Sequence, residues 1–197
     1  IPLGIAKDHA ESLRALMAQG LAADLLLLSG GVSAGDYDLV PRTLEKMGVE
    51  CIFHKVCLKP GKPIWFGVFQ RPAASPTLVF GLPGNPVSAL VCFELFVRPA
   101  LGLVSGRSID MKSVSHHRAR LIGSIKGSGD RPVYHPCRLE LSDGRLFVEA
   151  LQWGGSADLL GLSHANGLLV VPKNCGDYQE GEVVEVIPLV SRFRHES

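Results

Sequence analysis

Over the first hundred residues the hydrophobic positions switch between a helical and a strand-like period. Residues 9–19 set Ala10, Leu13, Leu16 and Met17 on one helical face, with Asp8 as the predicted N-cap and Gly20 as the stop. Asp24-Leu-Leu-Leu-Leu28 follows as an unbroken apolar run, the pattern of a strand buried on both faces of a parallel sheet. A second helix is predicted over 39–47, with Leu39, Leu44 and Met47 apolar and Gly48 as its stop; strands are predicted over 49–56, 64–69 and 78–80. Asn85-Pro86 opens the strongest helical pattern, since Asn favours the N-cap and Pro the first helical position. Its body is Ala89, Leu90, Cys92, Phe93, Phe96 and Val97, and Pro99 is expected to end or kink it. Such alternation predicts an α/β layer with right-handed crossovers.

From about residue 107 the grammar changes. Short apolar or alternating runs at 119–125, 133–141, 146–151, 167–171 and 183–187 are separated by Gly, Asp, Asn and Pro, and Ser142-Asp-Gly144 is a hairpin signal. The expected domains are therefore residues 1–106, α/β, and 107–197, a small β barrel or sandwich.

Composition narrows the functional classes. At 197 residues, 46% hydrophobic and 20% charged, the chain has the make-up of a soluble, well-packed protein. A net charge of +1 without a long basic run gives no nucleic-acid surface. No apolar stretch is expected to reach the ~18 residues of a membrane span, and no signal peptide is visible. Cys51, Cys57, Cys92, Cys137 and Cys175 are odd in number and never spaced Cys-x-x-Cys, which argues against a disulfide framework or zinc site and for the cytoplasm. The chain begins at Ile1, directly before a helical pattern, and reads as a fragment.

Candidate chemistry lies in three segments of the first half. Ser29-Gly-Gly-Val-Ser-Ala-Gly-Asp-Tyr-Asp38 and Gly81-Leu-Pro-Gly-Asn-Pro-Val-Ser88 each follow a predicted strand and lead into a helix, where backbone N–H groups can face a phosphate or another oxyanion. Lys59-Pro-Gly-Lys-Pro63 adds two cations whose reach its prolines restrict. Taken singly, each segment is also an ordinary turn or helix cap, with Asp36 and Asp38 as capping carboxylates. Together they read as an anion site, open to a metal, for a phosphorylated ligand. In the second half Arg131, His116, His117, His135 and His164 are ambiguous; adjacent histidines on a strand point to opposite faces and chelate poorly together.

The order and spacing of Ser29-Gly-Gly-Val-Ser-x-Gly-x-x-Asp38, Lys59-Pro-Gly-Lys-Pro63 and Gly81-Leu-Pro-Gly-Asn-Pro-Val-Ser-Ala89 closely resemble the molybdopterin molybdenumtransferase family, which includes the E domain of gephyrin. The resemblance continues through Arg131-Pro-x-Tyr-His135, Gly155-Ser156 and Ala165-Asn-Gly-Leu168 and covers nearly the whole chain. It implies a three-layer α/β sandwich followed by a small β barrel, and transfer of molybdenum from molybdate to adenylylated molybdopterin with release of AMP. By this resemblance Asp38 holds Mg²⁺ or supports the hydrolytic step, while Lys59, Lys62 and Ser88 form the molybdate pocket, with Arg131 and Ser156 contributing from the β domain. Backbone amides within 30–35 and 84–88 receive the adenylyl phosphate, and the resemblance assigns Ser29, Gly30, Gly31, Ser33, Gly35, Pro63, Gly84, Asn85 and Pro86 to substrate binding. The resemblance also implies that the chain corresponds to the C-terminal portion of a cytoplasmic homodimer whose cleft a second subunit completes. An adenylyltransferase or nucleotide hydrolase on the same sheet is the alternative enzyme, although such relatives carry Gly-Gly-Thr-Gly at the first turn and lack the lysine turn and β domain. A non-catalytic scaffold module is the alternative from another class.

Overall fold

A computed structural model describes residues 1–7, 9–32, 39–106 and 116–189. The chain divides into two compact units, Ile1–Val56 with Gly61–Phe93, and Cys57–Pro60 with Glu94–Ser197.

In the first unit, helix α1 spans Ala10–Gly20, and His9 takes the N-cap position, its Nδ1 accepting from the Ser12 N–H at 3.3 Å. The expected cap, Asp8, lies outside the described residues. Gly20 does not stop the helix by a left-handed turn; it is the last helical residue, and Leu21 after it stays right-handed at φ −69°. What Gly20 provides is room, because a Cβ there would sit 2.4 Å from Leu26 Cδ1. Helix α2 spans Leu39–Lys46. Strands β1 (Leu25–Ser29), β2 (Glu50–His54), β3 (Trp65–Phe69) and β4 (Thr77–Leu82) form one sheet in the order β1-β4-β3-β2.

This sheet corrects the expectation of a parallel layer. β1 and β4 run parallel, but β4 with β3 and β3 with β2 are antiparallel. The connections at 55–64 and 70–76 contain no helix and are shorter than a parallel crossover needs. β1 is also an edge strand within this sheet, so Leu27 remains 42% exposed instead of buried on both faces. Leu13, Met17, Val40 and Leu44 from the two helices form a core with Leu26, Trp65 and Val79 of the sheet. Alternation along the strands puts Phe53, Phe66 and Phe80 on the other face, with centroid separations of 5.4 and 4.6 Å.

Helix α3 spans Pro86–Cys92, a π-helical segment follows over Phe93–Val97, and α4 spans Arg98–Val104. Pro99 therefore does not end the helix. It lacks an N–H for the Leu95 carbonyl, and the preceding turn widens to π geometry. Against the expectation that no apolar stretch has the length of a membrane span, this helix, Pro86–Val104, is by length and composition long and apolar enough to cross a membrane. It nevertheless buries Val87, Val91, Cys92 and Val97 completely and carries a Glu94–Arg98 ion pair, features of a core helix.

The second unit is a closed barrel of β5 (His117–Ile122), β6 (Val133–Ser142), β7 (Arg145–Ala150), β8 (Gly167–Val171) and β9 (Val183–Pro188), ordered β5-β7-β6-β8-β9. Pairing of β5 with β9 closes it, Ala119 opposite Val184. The predicted hairpin joins β6 and β7, with Asp143 and Gly144 at φ 49° and 70° as its two-residue turn demands. Alternate residues Ala119, Leu121, Cys137, Leu139, Val148, Val184 and Val186 fill the interior. A short helix, α5 (Leu159–Ser163), is capped by Asp158. Asn166 reaches across to Leu139 and makes both bonds of a missing rung, accepting from its N–H at 2.6 Å and donating to its C=O at 2.9 Å.

Candidate functional site

The two glycine turns meet at the carboxyl ends of the parallel pair. Ser29 stands opposite Leu82 in register, and Gly30 N–H donates to the Leu82 carbonyl at 3.0 Å. An ideal Cβ on Gly84 would lie 3.6 Å from Gly30 Cα, so the backbones of the two turns touch. Gly31 must be glycine for two reasons: its φ is +66°, and a Cβ would press to 2.8 Å from Val40 Cγ2 on α2. Past the second turn, Asn85 is extended at φ −72°, ψ 129°, and its carbonyl accepts from Ala89 N–H at 2.9 Å. Pro86 is the first helical residue, and Ser88 is buried in the first turn of α3. Open sheets bind ligands outside such strand ends, with helix N–H groups turned toward the anion.

The lysine loop contributes to both units. In the first, Val56 N–H donates to the Lys62 carbonyl at 2.9 Å, and the Cys92 thiol donates to the Gly61 carbonyl at 3.4 Å. Cys92 lies one turn after Ser88 on the same helix, so Lys62 is tethered beside the helix that the second glycine turn opens. Burial pushes the Cys92 thiol up to about 12, which keeps it a neutral donor. Lys62 itself is exposed and Pro63 half-buried.

Lys59 belongs to the barrel unit. Its N–H donates to the Pro132 carbonyl at 2.9 Å and its carbonyl accepts from Tyr134 N–H at 2.8 Å, which lays it parallel to Val133 at the start of β6. It lines a cavity of about 440 Å³ with Lys126, His135, Leu151 and Trp153 among the other walls. Of the other residues singled out in this unit, Arg131 contacts Asp130 at 3.4 Å and Ser156 is half-buried in the loop after β7; neither lines the cavity. Asp158 fixes that loop by accepting from Gly154 and Gly161 N–H at 2.9 Å each, and these bonds hold its carboxyl below the usual range.

Ser29, Gly30, Gly31, Gly84, Asn85, Pro86, Ser88 and Lys62 are thus gathered in the first unit, with Lys59, Arg131 and Ser156 in the second. Ser33, Gly35 and Asp38 lie outside the described residues. Among those described, no three His, Cys, Asp or Glu side chains gather as metal ligands. Sequence reading left His135 ambiguous and passed over Lys126 and Trp153, which the barrel brings together from separate strands and loops. The available signal was a tryptophan and a lysine in turn segments next to alternating strands.

Known proteins share both units. Residues 1–102 match the family described as "Probable molybdopterin binding domain", more than half of the chain. The chain belongs to that family. Residues 118–189 match "MoeA C-terminal region (domain IV)". Among curated relatives, gephyrin of Dictyostelium discoideum is 36% identical over 94% of this chain and 28% of its own length. A molybdopterin molybdenumtransferase of Nostoc sp. is 34% identical over 96% of the chain and 43% of its own, and one of Haemophilus influenzae 33% over 95% and 45%. A solved molybdopterin biosynthesis moea protein from Pyrococcus horikosii is similar at TM-score 0.73 and 31% identity, covering 95% of this chain and 43% of that one. The chain thus spans less than half the length of these relatives.

Proposed function

We propose that this chain forms the anion-handling part of a molybdopterin molybdenumtransferase, which moves molybdenum from molybdate to adenylylated molybdopterin and releases AMP. The observation that carries the reading is the contact of the turns at Gly30 and Gly84, with Lys62 tethered beside the same helix through Gly61 and Cys92. Backbone donors of the two turns suit the adenylyl phosphate, and backbone donors need no reorganisation when charge develops on a phosphate. Lys62 and Ser88 of the first unit are assigned to molybdate. Their charge-assisted hydrogen bonds match a small tetrahedral oxyanion. Mg²⁺ is attached to Asp38 by resemblance alone, and we assign no step to it. The working enzyme is read as a cytoplasmic homodimer on the same resemblance. The barrel favours this reading over an adenylyltransferase or hydrolase, since those relatives lack it.

Titration of the chain with AMP, followed by backbone amide NMR, tests the assignment. Saturable shifts confined to the amides of Gly30, Gly31, Gly84, Asn85, Val87 and Ser88 are expected; shifts elsewhere, with these unmoved, would reject it.

A further inference from the structure

The first glycine turn and the lysine loop are joined by a residue that belongs to neither. β2 and β4 both run antiparallel to β3, so β2 points the same way as β4 and β1. His54, at its end, therefore lies on the sheet edge where the glycine turns begin. The pairs Leu28–Gly81, Gly81–Trp65 and Trp65–His54 make one row across the four strands, on the face that the helices cover. Past Gly31 the chain turns back over that row. Val32, 1% exposed, fills the place of the side chain that Gly81 lacks: a Cβ there would sit 2.5 Å from Val32 Cγ1 and 3.3 Å from Trp65 Cβ. The Val32 carbonyl then meets Nε2 of His54 at 3.1 Å. A carbonyl only accepts, so Nε2 carries the hydrogen and the neutral ring is the Nε2–H tautomer. Beyond His54 the chain enters the lysine loop. Lys55 is left-handed at φ 71°, its N–H donates to the Ile64 carbonyl at 2.9 Å, and the next N–H, of Val56, holds Lys62.

Gly30 and Gly31, at φ 87° and 66°, belong to the residue type with the widest backbone freedom. Their turn stays preorganised only when both of its ends are held from outside. Sheet pairing holds the entry through Gly30 N–H, and the bond from His54 to Val32 holds the exit. Without that donor the buried carbonyl would carry its full desolvation cost. We propose that His54 is a positioning residue: it fixes the first glycine turn and ties it to the lysine loop, so that both keep their places at one edge of the sheet before a ligand arrives. Its part in anion binding rests on the reading of the turns as a phosphate site, whereas the tether itself does not.

Imidazole nitrogen chemical shifts of the ligand-free chain at mildly alkaline pH should give the Nε2–H tautomer for His54. His54→Leu keeps much of the volume and loses the donor, while His54→Gln keeps an N–H. In His54→Leu, loss of one hydrogen bond should speed exchange of the Gly30 amide roughly tenfold. The Leu78 amide, bonded to the Asp24 carbonyl at the other end of β4, should hold its rate. AMP affinity, followed at the Gly31 amide, should fall by a similar factor, and His54→Gln should restore most of both. An Nδ1–H tautomer, a Gly30 rate or an AMP affinity indifferent to His54→Leu, or losses that His54→Gln leaves in place would each overturn the proposal. The tautomer is read on the unaltered chain, so a poorly folding variant does not remove the test. If the unaltered chain binds no AMP at these turns while the tautomer and exchange results hold, the phosphate reading falls and the tether stands.

Discussion

Gly31 and Gly30 share a left-handed backbone but differ in surroundings, and that difference can be measured. Gly31→Ala adds a 2.8 Å approach to Val40 where Gly30→Ala meets open space. A left-handed non-glycine residue costs about 1–3 kcal/mol, so both should lower the urea midpoint, Gly31→Ala by more; equal losses would remove the contact with α2 as a cause. For Lys62, removal of one charge-assisted contact to an oxyanion is worth about 1.5–3 kcal/mol, roughly ten- to a hundredfold. In a full-length enzyme carrying this sequence, Lys62→Ala should weaken molybdate use by that factor and adenylate affinity by much less. The reverse pattern would mean that the two subsites are exchanged. At His135, burial pulls the imidazole below its ordinary range against the opposing bond to Leu151. Unfolded, the ring gains its proton as pH falls through about 6.5, while the folded ring gains it lower. The stability it contributes is therefore whole above about pH 6.5 and lost as pH falls through the folded value. His135→Phe should flatten part of the fall in denaturation midpoint between pH 7 and 5, and an unchanged slope would show that other groups set it.

Among the elements, α3 and β6 each bury a thiol while Cys51 and Cys57 are exposed. Burial raises the Cys137 thiol as well as that of Cys92. Brief iodoacetamide labelling at neutral pH should modify Cys51 and Cys57 and spare Cys92 and Cys137 until denaturant is added; early loss of the Cys92 thiol would contradict its closure against Gly61. The barrel strands were legible in the sequence because inward and outward residues alternate and Asp143-Gly144 fixes one register by itself. Strand direction in the first unit was misread, since an apolar run such as 24–28 looks the same in an edge strand as in a central one. The lengths of the 55–64 and 70–76 connections held the missing information. The glycine turns were equally legible, because left-handed backbone is a local demand. Lys126, His135 and Trp153 were not, because they become neighbours only through pairings between distant strands.

For the whole molecule, the turns at 29–31 and 84–88 to which we assign the anion lie within the 197 residues, whereas the relatives extend well beyond the matched region. Reaction needs groups held close from several sides, so this chain should bind AMP and show no turnover with adenylylated molybdopterin, molybdate and Mg²⁺. Turnover comparable to a full-length relative would place the entire apparatus within it. The closure of β5 on β9 also has a consequence in time. The β6–β7 hairpin is local and can form in microseconds, whereas joining the first and last strands of a barrel belongs to the slow, non-local events of folding. Pulse-labelled hydrogen exchange during refolding should find the amides of Glu140 and Phe147, paired across that hairpin, shielded before those of Ala119 and Val184. A chain emerging from the ribosome would carry every lining residue of the barrel cavity, Lys59 to Val171, before β9 arrives to seal the sheet around it.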